Sequence, residues 1–326
     1  MVQLSVLDLA YIGEGFAAAD ALANARDLAQ HAEAAGYTRF WLAEHHNLAG
    51  IASAATAVCI CHVAGGTSTI RVGAGGIMLP NHSPMVIAEQ FGTLATLFPG
   101  RIDLGLGRAP GTDQRTLRAL RRGPEAAEQF PQDVVELQAL LGPPQENQFL
   151  HAIPGEDTNV PLWILGSSLF GAQLAAMLGL PYAFASHFAP QALMQAIAVY
   201  RDRFEPSKQL DRPYVMVGCN VIVADTEAEA KRLFTSPQQN FTRMVRGTRG
   251  QLPPPIDDIE DFWSPVEKMH ASSMLACSFY GAKDTIEGKL APFIESTGAD
   301  EPMVAAAIWD HEARVRSFEL LAEAMG

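Results

Sequence analysis

Residues 100–111, Gly100-Arg101-Ile102-Asp103-Leu104-Gly105-Leu106-Gly107-Arg108-Ala109-Pro110-Gly111, can be read in two ways, and the choice decides the fold. Glycines at 105 and 107 after an apolar run resemble a dinucleotide fingerprint. That motif needs a third glycine and a helix opening directly behind it, so that the pyrophosphate sits on free amides. Here Pro110 takes the place of the third glycine and no helical pattern starts there. The other reading is a buried parallel strand whose last residue hands over to an arginine.

The neighbouring sequence favours the second reading. Apolar strand candidates at 4–9, 39–45, 70–79, 101–107, 161–165, 182–186, 214–224 and 301–309 alternate with helical patterns, among them 20–35, 52–63, 83–98, 169–178, 191–204 and 311–325. Short apolar runs alternating with amphipathic helices imply a parallel sheet covered by helices. Eight such units favour a closed (β/α)8 TIM barrel over an open doubly wound sheet. One domain over 1–326 is expected, with an irregular, lid-like insertion at about 235–280, after the seventh strand, where Pro253-Pro254-Pro255 and a run of acids read as turn and coil.

Composition narrows the function. With 48% hydrophobic and 18% charged residues the chain can bury a large core. Thirty-six acids against 23 bases give a net charge of −13, which disfavours nucleic acid and anionic membranes as partners and means that an anionic ligand needs a local basic or amide-lined pocket. Four cysteines without zinc spacing, an N-terminus unlike a signal peptide and the lack of a long apolar run point to a cytoplasmic protein with reduced thiols. The helices at 51–62 and 85–98 are small and apolar on almost every side, the second carrying only Glu89 as a charge. Helices without a polar face are covered, and a homodimer packed through them is expected.

Barrel chemistry sits at the C-terminal ends of the strands. The second strand closes on Glu44-His45-His46, where alternation puts Glu44 and His46 on one side and His45 on the other. Three glycines within residues 72–76 mark a bulge or a surface on which a flat ligand lies against backbone. Arg108 suits an anion such as a phosphate. Gly166-Ser167-Ser168 opens a helix directly after the fifth strand, a ready site for phosphate on free amides. His82, His187 and Trp309 follow the third, sixth and eighth strands and are candidate pocket residues. The histidines show no recognised metal spacing, and no metal site is expected.

Taken together, residues 40–46, 72–84, 100–113, 165–168, 184–188 and 310–314 resemble the bacterial-luciferase-like monooxygenases, over nearly the whole chain. The resemblance implies a barrel that holds reduced FMN in its mouth and uses dioxygen to oxidise an aldehyde or another small organic substrate, with the flavin supplied by a separate reductase. It implies a catalytic role for His45, a non-prolyl cis peptide at Gly75-Gly76 beneath the flavin ring, and an FMN phosphate held by Arg108, Ser167 and Ser168; Glu44 is expected to be catalytic beside His45, and Gly166 to let the phosphate approach the backbone. Gly107 stands where the light-emitting catalytic subunit has a reactive cysteine, and Ser167 replaces an acidic residue. A deazaflavin-dependent hydride transfer and a non-catalytic flavin-binding protein are the alternatives.

Overall fold

The structure, a computed structural model, describes residues 2–109 and 113–326. Eight parallel strands close into a barrel: β1 (Ser5–Asp8), β2 (Arg39–Leu42), β3 (Arg71–Met78), β4 (Ile102–Gly107), β5 (Leu162–Gly166), β6 (Tyr182–Phe184), β7 (Val215–Ala224) and, after an intervening short strand β8 (Ser278–Ala282), β9 (Glu301–Ala305). Each of β1 to β6 pairs in parallel with the next, β6 pairs with β7, β7 with β9 and β9 with β1, which completes the ring. The expected (β/α)8 barrel is the observed fold. The outer layer is formed by α1 (Ala18–Ala34), α2 (Thr56–Ala64), α3 (Pro84–Leu97), α4 (Gln114–Ala119), α5 (Phe130–Leu141), α6 (Leu169–Leu178), α7 (Leu193–Asp202), α8 (Glu227–Val245), α9 (Pro265–Met274), α10 (Lys283–Thr297) and α11 (His311–Met325).

Strand alternation divides the core into two shells. The large shell lies between barrel and helices and takes one side of each strand, Val6, Phe40, Val72 and Leu104 among them. The inner shell fills the barrel with Leu7, Trp41, Trp163, Met216 and Met303, the two tryptophans meeting edge to face at 5.1 Å. Below it, at the strand starts, an ionic plug closes the N-terminal end. Asp103, fully buried, accepts from Arg39 Nη1 at 2.8 Å, Arg71 Nε at 3.0 Å and Trp41 Nε1 at 3.1 Å. Glu301, equally buried, accepts from Arg39 Nε at 2.9 Å and Tyr214 Oη at 2.7 Å. Buried charges survive only when paired and hydrogen-bonded, as these are. The plug leaves the opposite end as the open mouth.

Two strands are shorter than their sequence suggests. β2 stops at Leu42 and β9 at Ala305, each three or four residues before the end of its apolar strand candidate. The stretch expected to be irregular, about 235–280, holds more regular structure than its prolines and acids suggest. It takes in the second half of α8, which runs through Pro237, then α9 and the start of β8, leaving coil mainly between 248 and 264. Tyr214 O accepts from Tyr182 N on the β6 side, and Asn220 N donates to Cys277 O on the β8 side. Alternate backbone groups face one edge, so β8 takes over the edge of β7 that the three-residue β6 leaves. Among the described residues no helix is long and apolar enough to cross a membrane, and all four cysteines are free.

Candidate active site

At the C-terminal mouth the strand ends enclose a cavity of about 1050 Å³. Part of its floor is backbone, beside the inner-shell side chains Leu7, Trp41, Met216 and Met303. Gly75 and Gly76 line it, and the peptide between them is cis. The β3–β4 register slips between Ala74 and Ile77, the bulge expected from the glycines. Neither position has room for a side chain: a Cβ on Gly75 would lie 2.7 Å from Leu7 Cδ1, and one on Gly76 2.7 Å from Gly105 O. The result is a flat patch of peptide open to the cavity.

On one wall β4 ends at Gly107 and β5 at Gly166. Arg108 follows the first, its guanidinium 4.1 Å from the centroid of the Phe170 ring on α6. Ser167 and Ser168 follow the second and lead into α6. Ser168 is the N-cap residue, but its hydroxyl makes no cap hydrogen bond, and a Cβ on Gly166 would meet nothing nearer than Gly171 Cα at 3.9 Å. Open space, a spare hydroxyl, helix N-terminal amides and an arginine converge on one cavity wall, the donor set that a phosphate monoester requires. Pro110, the residue that argued against a dinucleotide fold, lies outside the described residues; among the described residues the next helix after β4 begins at Gln114.

Two histidines face the cavity from other strand ends. His45 follows β2 and His187 follows β6. Each has a buried Nδ1 with no hydrogen-bond partner among the described residues. Burial, followed by the positive charge of Arg249, brings the pKa of His45 down to about 4; burial and the proximity of His45 bring His187 to about 4. Both rings are therefore neutral near pH 7 and able to take up a proton. Asn220 Nδ2 donates to His187 O at 2.7 Å and fixes the loop that carries it.

Glu44 does not line the cavity. It is 1% exposed, and its carboxylate accepts from His46 Nε2 at 2.7 Å, His82 Nε2 at 2.8 Å and the Met78 amide at 3.0 Å. Burial pushes its pKa up, and the His82 and His46 hydrogen bonds with the Met78 amide outweigh this and hold it below the ordinary range. Glu44 ties the β2 loop to the end of β3, between His45 and the glycine floor. The side-chain geometry agrees with the strand alternation, Glu44 and His46 meeting while His45 stands apart. Spacing along the chain did not reveal that Glu44, His46 and His82 offer ligand atoms within 4.8 Å of one another, since the third lies 36 positions beyond His46.

Of the three expected pocket residues, His187 lines the cavity, and His82 and Trp309 do not. His82 is turned to Glu44. Trp309 donates from Nε1 to Glu14 O at 3.0 Å and packs on Phe16 with 5.1 Å between ring centroids. Other lining residues escaped the sequence reading. Asn240, Phe241 and Met244 from the end of α8, with Arg249 and Leu252 from the coil that follows, form the outer wall. The helical spacing of 233, 234, 241 and 244 was the available signal, masked by Pro237 and the glycines at 247 and 250.

Residues 2–269 match the family model described as luciferase-like monooxygenase. A protein called luciferase-like monooxygenase from Escherichia coli (strain K12) is 53% identical over 320 residues, covering 98% of this chain and 96% of that protein. Among solved structures, apo-MsnO8 aligns with a TM-score of 0.88 at 34% identity, over 100% of this chain and 98% of that one. The oxygenating constituent of 3,6-diketocamphane monooxygenase from the CAM plasmid of Pseudomonas putida, a type II Baeyer-Villiger monooxygenase in complex with FMN, aligns with a TM-score of 0.72 at 17% identity, over 99% and 97% of the two chains. At that identity the likeness concerns the fold alone.

Proposed function

The chain belongs to the luciferase-like monooxygenases, and from that premise we propose that it binds reduced FMN in the barrel mouth and uses dioxygen to oxidise an aldehyde or another small organic molecule. The observation that carries this reading is the convergence of Arg108, Gly166, Ser167 and Ser168 on the cavity that the Gly75–Gly76 backbone floors. A phosphate on the serine turn and the arginine would leave a planar ring system to lie on side-chain-free peptide. When bound, the flavin supplies the two electrons that let dioxygen give one oxygen atom to the substrate and the other to water.

The chain's own residues bind, shield and move protons. Arg108 and the α6 amides would hold the phosphate, and the inner shell closes the barrel below the site. His45 is the catalytic residue, a neutral imidazole that lines the cavity. Glu44 is a positioning residue that fixes the loop from which His45 projects. Because the chain carries no dinucleotide fingerprint, a separate reductase is expected to supply the flavin.

An anaerobic titration with reduced FMN tests the reading. The full chain should bind it, and Arg108→Ala should weaken binding by about 10- to 100-fold, the loss of one charge-assisted phosphate contact, with an unchanged far-ultraviolet circular dichroism spectrum. Failure of the wild type to bind FMN, with binding of a deazaflavin instead, would move the assignment to hydride transfer. Binding without any turnover would leave a flavin-binding protein.

The proposal extends to assembly. Val58 on α2 and Val86 and Leu97 on α3 are 70%, 44% and 58% exposed, on helices whose sequence has almost no polar face. Burial of these residues in a homodimer would remove them from water. Light scattering in line with size-exclusion chromatography should give twice the 35.1 kDa chain mass, and Val58→Glu should shift the population to the monomer. A monomeric wild type would remove the dimer from the proposal.

A further inference from the structure

The outer wall of the cavity holds a second cation, on a different segment from the Arg108 wall. Arg249 lines the mouth beside His45, and its charge is among the influences that keep that imidazole neutral. Its backbone is fixed on both sides. Before it, Gly247 turns the chain at φ +71° and Thr248 N donates to Arg243 O at 2.9 Å, while Arg243 itself pairs with Glu14 at 2.6 Å. After it, Leu252 N donates to Ile12 O at 2.9 Å and Glu14 N to Leu252 O at 2.8 Å, stitching the strap to the segment behind β1. The strap runs so close to the loop after β2 that a Cβ on Gly50 would collide with Gly250 O. The guanidinium is thus presented from a held backbone.

What it lacks is a counter-ion. Arg243 pairs with Glu14 and Arg246 with Glu267, whereas Arg249 pairs with no carboxylate among the described residues. One carboxylate lines the cavity, Asp113, and it caps α4 by accepting from Thr116 N at 2.8 Å. The other cation of the cavity, Arg108, stands over Phe170 on the phosphate wall. In a chain of net charge −13, two arginines against one engaged acid make the mouth a local reversal of sign. Apolar side chains accompany the second arginine, Phe241, Met244 and Leu252 from the same wall and Leu9 from the barrel rim.

We propose that Arg249 binds the carboxylate of the substrate, so that the compound oxidised here is a small organic acid with an apolar body and not a neutral alkanal. This rests on the flavin reading for the reaction itself, though the binding site stands on its own residues. Arginine's planar fork suits a carboxylate, which it engages through two parallel hydrogen bonds. His45 beside it would then face the apolar part of the same molecule.

The test is a calorimetric titration of the full chain, saturated with oxidised FMN, with octanoate and with octanamide, which share an apolar tail and differ in charge. Octanoate should bind about 10- to 100-fold more tightly. Arg249→Gln should reduce it to the affinity of octanamide and leave octanamide and FMN unaffected, and Arg249→Lys should restore part of the difference as a point charge. Equal binding of the two ligands by the wild type, an octanoate preference that survives Arg249→Gln, or an equal loss of FMN in that variant would overturn the assignment. Arg108→Ala guards against octanoate seated in the phosphate site, because it should weaken FMN and preserve the octanoate preference; loss of the preference there would also count against Arg249. If the wild type takes no FMN, the same titration without it still decides: an acid preference that disappears in Arg249→Gln upholds the anion site while the flavin reading falls, and no preference removes both.

Discussion

Replacing His45 with alanine should lower substrate turnover by about 10²- to 10⁴-fold while leaving the affinity for reduced FMN within a few-fold of the wild type. That range is the usual contribution of a positioned general acid or base. The split between chemistry and binding follows from the architecture, because His45 projects from the β2 loop whereas the phosphate anchors lie after β4 and β5. The pH profile gives a second readout. A histidine with its ordinary pKa loses its basic form as pH falls through about 6.5. With its pKa at about 4, His45 keeps its basic form down to that value, so the acid limb of kcat/KM should fall near pH 4 and not near 6.5. Steady-state rates in a constant-ionic-strength buffer series would check this, and an acid limb centred near 6.5 would remove His45 as the neutral base.

Asp103→Ala should have the largest effect on stability. The carboxylate is fully buried and accepts from Arg39, Arg71 and Trp41, so its removal leaves two part-buried guanidinium groups short of a counter-charge and an indole N–H without its acceptor. Breaking a buried ion pair from one side costs about 3–5 kcal/mol. In a chain of this size that lowers the thermal midpoint by about 4–7 °C. Differential scanning fluorimetry reads the shift directly. FMN affinity at 15 °C should be preserved, since the plug and the mouth lie at opposite ends of the inner shell; a loss of both together would show that the two ends are not independent.

The order of elements was legible because a parallel strand buried on both sides is mostly apolar, and β4 and β7 are buried at every residue. The cluster at the ends of β4 and β5, which we propose holds a phosphate, drew attention for a different reason. Glycine, serine and arginine directly after a strand have little to contribute to a core, so their position alone suggests ligand contact. Residues whose role depends on distant partners were not legible. Nothing near His82 in sequence indicates that it turns to Glu44, and nothing near Trp309 indicates that Glu14 O will take its N–H. β8 was missed because Ser278–Ala282 is five residues long, half exposed at its first three positions and paired only with the far end of β7. Arg249 lies in a glycine-flanked coil that reads as surface, and only the pinning of that coil to the segment behind β1 brings the side chain over the mouth.

The cavity is built from two materials with different capacity for change. Its glycine floor consists of peptide groups, where a single added methyl at Gly75 or Gly76 collides with the barrel. Its outer wall consists of side chains, Asn240, Phe241, Met244 and Arg249, carried by a helix and a strap outside the ring of eight strands. Descendants of this barrel can therefore acquire new substrates through a few substitutions in that outer wall while the cofactor seat is inherited intact. The same division marks where an engineer should mutate freely and where not at all.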